Sequence, residues 1–358
     1  MTFAAVKKTI MLSFSAMLLT FSQHSIAQKI GISLPNPDKP RFNIDAETMA
    51  KELESKGHET IIKCADRTVE TQIKDIETLI EKGCDFLVII PIDGETLSGV
   101  LKKAEDKNIP VISYDRLITN TDAVKYYATF DNYKVGQMLG EYIVEKLNLK
   151  NTEETKYIEI FSGDQHDYNV EAFWSGSMEV LKPYFDQDKL ICPSGVYTKE
   201  GTYTFNWSTE EAKKRMIKLI DEFNLGAGEG KQRIDAVLCH SDGIAQGVIE
   251  ALYQNAGYKK HNFPVVTGQD CQVKNLKYIK SGLQSMCVFK DARVLGYATA
   301  NMILQMINGE TVTVNSTDSY SIGEKSVPTL LCSPKLVDKN NMRELVIESG
   351  YYEPEDLK

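Results

Sequence analysis

The sequence predicts an α/β protein built as two doubly wound parallel-sheet lobes. Three observations carry that expectation. Short apolar runs of strand length alternate with amphipathic helical stretches from residue 30 onward. One run, Phe86–Pro91, is apolar without alternation, as a parallel strand covered on both faces must be. The alternation then restarts near residue 157, in a chain of 358 residues, a length that normally divides into two domains.

Taken in order, Ile30–Leu34 reads as the first strand. Ala46–Lys56 follows as an amphipathic helix stopped by Gly57, and Thr60–Cys64 is the next strand. Thr71–Lys82 carries Ile73, Ile76, Leu79 and Ile80 at helical spacing and is closed by Gly83. Phe86–Pro91 is a strand, Thr96–Lys107 a helix and Val111–Tyr114 a strand, which completes a βαβαβαβ series. In the second half, Tyr157–Phe161, Leu190–Cys192, Ala236–Cys239, Pro264–Thr267 and Ser285–Phe289 read as strands. Ala172–Leu181, Thr209–Glu222, Gly243–Asn255 and Val273–Ser281 read as helices between them. Val294–Ile307 is one more helix before a closing segment, and no sequence repetition accompanies the repeated topology.

Ahead of the first strand, Lys7 and Lys8 precede an apolar run from Ile10 to Phe21, then Ser25-Ile26-Ala27. Basic, apolar, small-x-small is the order of a cleaved secretory leader. The run is short for a bilayer span. Export is therefore expected, with residues 1–27 removed and no cysteine at the cleavage point to take a lipid. The formal charge of −9 becomes −11 once Lys7 and Lys8 leave with that segment. An acidic chain argues against a nucleic-acid partner, because phosphate binding needs a basic face. The seven cysteines, Cys64, Cys84, Cys192, Cys239, Cys271, Cys287 and Cys332, are scattered and form no C-x-x-C. Neither a zinc knuckle nor a redox pair is suggested. Cys64, Cys239 and Cys287 fall in apolar runs and read as small buried hydrophobes. In an exported chain a disulfide stays open.

Ligands of open parallel sheets bind beyond the carboxyl ends of the strands. There the sequence places Arg41 and Phe42, then Asp115 and Arg116, then the loop Gly163–Asn169 with Asp167 and Asn169. His240-Ser241-Asp242, Gly268-Gln269-Asp270 and Lys290-Asp291 follow later strands. Each sugar hydroxyl both donates and accepts, so its site must supply carboxylates together with cationic or amide donors. An aromatic ring can cover the apolar C–H face of a pyranose, and Phe42, Trp207 and Trp174 are the candidates. Any single polar residue here could instead cap the helix that follows its strand. The recurrence in both halves carries the hypothesis of a polyhydroxylated ligand.

Other chemistries lack their residues. Gly31 stands alone after the first strand, without the glycine pattern of a dinucleotide fold, and residues 226–231 lack the spacing of a phosphate loop. No G-x-S-x-G elbow occurs, and His240, Ser241 and Asp242 are adjacent, so their side chains diverge. Asp115 and Asp270 could mimic a glycosidase pair, but Arg116 would hold a carboxylate ionised. The five histidines show no metal-ligand spacing, and only His166 in the strand-end loop is worth watching. A sugar-responsive repressor would carry a helix-turn-helix where the leader stands.

The segments Tyr114-Asp-Arg-Leu-Ile118, Tyr127-Ala-Thr-Phe-Asp-Asn132, Leu181-Lys-Pro-Tyr184, Gly268-Gln-Asp270 and Gly350-Tyr-Tyr352 resemble the periplasmic multiple-monosaccharide-binding proteins and the related xylose-binding proteins of ABC transporters. The likeness runs in order through the chain after the leader. It implies a type I periplasmic binding protein whose two lobes, 28–130 plus 291–326 and 131–290 plus 327–358, are joined by a three-segment hinge. By this resemblance the protein is a monomer without cofactor, metal or enzymatic activity. It closes over an aldose such as xylose, glucose or galactose and hands it to a membrane permease. A chemoreceptor or sensor kinase in place of the permease is the alternative, and a glycoside-processing enzyme a remote one. The resemblance implies ligand contacts from Arg41, Phe42, Asp115 and Arg116 in the first lobe, and from Asp167, Asn169, Trp207, Asp270 and Lys290 in the second. Ser241 stands where the xylose-binding relatives carry Asn. The loop departs from their small-Pro pattern at Asp164-Gln165, and Tyr168 replaces a common Asn.

Overall fold

A computed structural model describes residues 27–37 and 40–358. The expected leader lies outside the described residues except for Ala27. In chain order the elements are β1 (Lys29–Leu34), α1 (Pro40–Ser55), β2 (Glu59–Cys64), α2 (Val69–Glu81), β3 (Phe86–Ile89), α3 (Ser98–Asp106), β4 (Val111–Tyr114) and β5 (Val124–Phe130). Then come α4 (Asn132–Lys146), β6 (Lys156–Phe161), α5 (Asn169–Phe185), β7 (Leu190–Ile191), α6 (Thr209–Glu222), β8 (Ala236–Cys239), α7 (Asp242–Asn255), β9 (Val265–Val266), α8 (Val273–Ser281) and β10 (Met286–Phe289). The chain closes with α9 (Ala292–Asn308), β11 (Ser321–Ile322), β12 (Lys325–Ser326), β13 (Thr329–Cys332) and β14 (Lys335–Asp338).

The first lobe is a six-stranded sheet in the order β13-β5-β4-β3-β1-β2, parallel at every pairing. Helices α2 and α3 cover one face, where Ile76, Leu79 and Leu101 meet Leu87, Ile89 and Val111. On the other face α1 and α9 place Met49, Leu53 and Ile303 against Ile30, Ile32 and Val88. The second lobe is the parallel sheet β7-β6-β8-β9, which the Gln269–Val288 bridge joins to the antiparallel pair β10-β14. Its faces bury Met216 and Val248 against Val237, and Leu139 and Phe173 in the cluster of Ile158, Ile160 and Leu238. Burial on both faces of each sheet is why the central strands read as continuous apolar runs.

Three departures from the sequence reading matter. First, α1 begins at Pro40 rather than Ala46. Proline at the first helical position has its φ preset and lacks an N–H that would go unused there. Arg41 and Phe42 are therefore helical, and Phe42 starts a buried stripe continued by Ala46, Met49 and Leu53. Second, the structure adds β5 and α4 between the two strand–helix series. Gly136 and Gly140 lower the helix propensity of α4 but let α5 approach it closely. A Cβ on Gly136 would fall 2.2 Å from Phe173 O, and one on Gly176 2.1 Å from Tyr133 O. Third, β13 pairs with β5 in the first sheet, although residues 327–358 were expected in the second lobe. The chain thus passes between lobes after β5, after β10 and, last, at Ser333–Pro334 between β13 and β14, beyond the expected 326/327 boundary. The partner of β13 lies about 200 residues away, and no local signal in four residues names it.

Candidate functional site

The carboxyl ends of both sheets face one another across a groove of ≈ 980 Å³, within the range of small-molecule sites. Its floor is a narrow chamber of ≈ 30 Å³, room for little more than a water. All ten sequence-predicted residues line that chamber: Arg41, Phe42, Asp115, Arg116, Asp167, Asn169, Trp207, Ser241, Asp270 and Lys290.

Arg41 sits at the start of α1, 8 % exposed, with its guanidinium over the Phe42 ring at 5.4 Å. It donates to Asp115 Oδ1 at 2.8 Å, pairs with Asp45 Oδ2 at 3.7 Å and reaches Asp270 Oδ1 of the other lobe at 3.5 Å. Asp115 follows β4 with φ +61, a left-handed turn that folds its carboxylate back toward α1. Its carbonyl accepts from Tyr127 Oη, Thr129 Oγ1 and, across the lobes, Asn169 Nδ2. Burial pushes the Asp115 carboxyl up, but Arg41, Lys290 and Arg116 outweigh it and hold the group below the usual carboxylate range. Asp45 sits one turn along α1 and accepts from Tyr114 Oη. There burial wins, and its carboxyl is pushed up to about 7 despite Arg41.

Arg116 donates to the Pro91 and Ile92 carbonyls and pairs through Nε with Asp167 Oδ2 at 2.9 Å, a second bridge between lobes. The same Asp167 oxygen accepts from Trp207 Nε1 at 3.2 Å, which orients the indole. The Trp207 ring lies on the backbone of Gly163, where a Cβ would meet it at 2.1 Å. Asp270 takes φ +91 and pairs with Lys290 Nζ at 3.2 Å, while Lys290 also stands 5.5 Å from the centre of the Phe173 ring.

Three predicted residues have structural employment as well. Ser241 Oγ accepts from Ile244 N and caps α7, which leaves its O–H proton to donate. Asn169 Oδ1 accepts from Tyr127 and Asn132 while Nδ2 donates to Asp115, so one amide N–H remains. Phe42 belongs largely to the first core and presents only part of its ring. Trp174, the other indole considered, packs against the second core away from the chamber. Phe173 and Gln269 line the chamber and were missed. Gln269 lies inside the Gly268–Asp270 segment that the strand-end rule marks, beside the Asp270 chosen from it. Phe173 lies on a helix, where sequence gives a phenylalanine no mark but that of core.

His240, Ser241 and Asp242 do diverge. His240 Nε2 meets Ser177 Oγ at 3.1 Å, and burial pulls its imidazole down to about 3. Asp242 accepts from Gln284 Nε2 and Gln272 N. His166 lines the outer groove beside Gln165, and among the described residues no group of His, Cys, Asp or Glu is arranged to hold a metal ion.

The family model described as "periplasmic binding protein domain" matches residues 30–311. The multiple sugar-binding periplasmic protein SbpA of Azospirillum brasilense is 39 % identical over 346 residues, covering 95 % of this chain and 95 % of that protein. The D-xylose-binding periplasmic protein of Escherichia coli (strain K12) is 31 % identical over 353 residues, 98 % of this chain and 99 % of the relative. Among solved structures, an ABC transporter solute-binding protein from Clostridium phytofermentans with bound β-D-glucose superposes with a TM-score of 0.87 at 44 % identity, over 92 % of this chain and 100 % of that one.

Proposed function

The chain belongs to the periplasmic binding protein domain family, and from that membership we propose that its cleft closes on a neutral aldopyranose gripped by the ten residues named above. The protein is a sugar-binding component of an ABC-type transporter, periplasmic like its relatives, and not an enzyme. The observation that carries the sugar class is the composition of the chamber. Three cations, Arg41, Arg116 and Lys290, interleave with three carboxylates, Asp115, Asp167 and Asp270. Each sugar hydroxyl can donate to a carboxylate and accept from a neighbouring cation, and such charge-assisted bonds are the strong ones. The signs balance, so a uronate would bring a buried charge without a partner. Trp207 offers the apolar surface for the C–H face of the ring. The relatives' names include xylose and several sugars, and the glucose-bound neighbour adds a hexose. Both pentopyranose and hexopyranose are therefore within the proposed range.

The chamber is too narrow for a pyranose, so entry requires the lobes to part. The ligand then replaces part of the Arg41–Asp270 contact, and the lobes shut over it. The closed form is what the permease reads; a chemoreceptor or sensor kinase could read the same form. Residues 1–27 serve as the export leader, and the mature chain acts as a monomer. A thermal-shift panel of glucose, galactose, xylose, arabinose, ribose and glucuronate tests the reading. Stabilisation by neutral aldoses and none by glucuronate is expected. Stabilisation by glucuronate alone would overturn it.

A further inference from the structure

Cys271 and Cys287 are fully buried behind the site, and sugar binding makes no use of their thiols. Their Sγ atoms stand 2.7 Å apart, far inside the roughly 4 Å of an ordinary non-bonded contact. The backbone makes this proximity a property of the fold. Gln269 and Val288 form a parallel bridge, Asp270 N donates to Val288 O at 2.9 Å, and Val288 N donates to Gly268 O at 2.8 Å. Each sulfur hangs within two residues of that bridge, on facing chains. The turn itself is strained, since Asp270 and Cys271 hold φ of +91 and +51, a region that non-glycine residues occupy only when their surroundings force them.

We propose that Cys271 and Cys287 are joined by a disulfide, which staples the Asp270 turn to the strand that delivers Lys290. Asp270 and Lys290 are an ion pair of the site, so the staple fixes the spacing of two ligand-facing charges. The bond forms by exchange with a disulfide oxidant such as glutathione disulfide. One cysteine thiolate attacks the oxidant, forming a mixed disulfide and expelling one glutathione thiolate. The second cysteine thiolate displaces the other, so two electrons pass to two glutathiones, which take up the two protons. Burial raises the pKa of both thiols in the folded protein, so oxidation belongs to folding, before the turn closes. In the cell the proposal rests on the periplasmic location read above, where disulfides persist.

The purified chain, refolded in a glutathione redox buffer, is alkylated in denaturant without reductant and digested with trypsin. Five of the seven cysteines are expected to alkylate. Residues 261–274 and 281–290 should run as one linked species that separates on reduction. Seven alkylated cysteines would overturn the proposal. The buffer supplies the oxidant, so this outcome is independent of export and of which sugar binds. The stapling role is read from the thermal midpoint of the Cys271→Ser/Cys287→Ser double variant, expected several degrees lower. An unchanged midpoint would overturn that role, and should the variant fail to fold, the peptide map still decides the bond.

Discussion

Each charge in the chamber is held by a neighbour of opposite sign, so truncation takes a charged partner from a buried neighbour. Asp270→Ala deprives Arg41 and Lys290, and Arg116→Ala deprives Asp167. A buried charge-assisted bond is worth about 1.5–3 kcal/mol, so each change should weaken sugar binding roughly tenfold or more. Calorimetry with glucose and xylose measures this; near-native affinity in both variants would remove these residues from the site. Asp45 carries a pH prediction. Burial pushes its carboxyl up to about 7, whereas the unfolded chain releases that proton near the ordinary range of about 4. Between those values the folded state binds the extra proton, so stability falls as pH rises toward 7 and is level above. Asp45→Asn lacks this titration. The stability of the native chain relative to that variant should drop by on the order of 4 kcal/mol across the window, read by urea unfolding at both ends. Asp45 itself was invisible in the sequence, because its burial comes from Tyr114 and Arg41 folding over it.

Among the elements, the α4–α5 contact is the most exacting. Its glycines bring two helices to backbone distance, and a methyl on Gly176 would strike Tyr133 O at 2.1 Å, where no side chain can yield. Gly176→Ala should therefore cost about 1–3 kcal/mol, the usual range for overpacking, with sugar affinity of the folded fraction retained. A thermal midpoint equal to that of the native chain would contradict this. Most helices were legible from their apolar spacing; α6 and α8 keep the bounds read from the sequence, Thr209–Glu222 and Val273–Ser281. The same glycines that make α4 pack well made it illegible, since they dilute the helical signal. Two-residue strands such as β11 and β12 carry no period at all.

At the scale of the whole molecule, Arg41–Asp270 and Arg116–Asp167 tie the lobes together, and Asn169 also bonds to Asp115 across them. A ligand that contacts both lobes favours the closed arrangement by its differential affinity for it. Small-angle scattering should show a smaller radius of gyration at saturating sugar than without it; an unchanged radius would count against hinge closure. The sequence alone determined the fold class, the acidic charge and ten of the twelve residues that line the chamber. Strand ends follow from apolar period, and the residues after them are local. Tertiary structure alone decided which lobe owns β13, where the last crossing falls and that Phe173 and Gln269 join the site. It also decided how the buried charges pair, and that Cys271 faces Cys287. Those outcomes depend on which distant segments become neighbours, and burial and Coulomb energy are set by neighbours in space rather than in sequence.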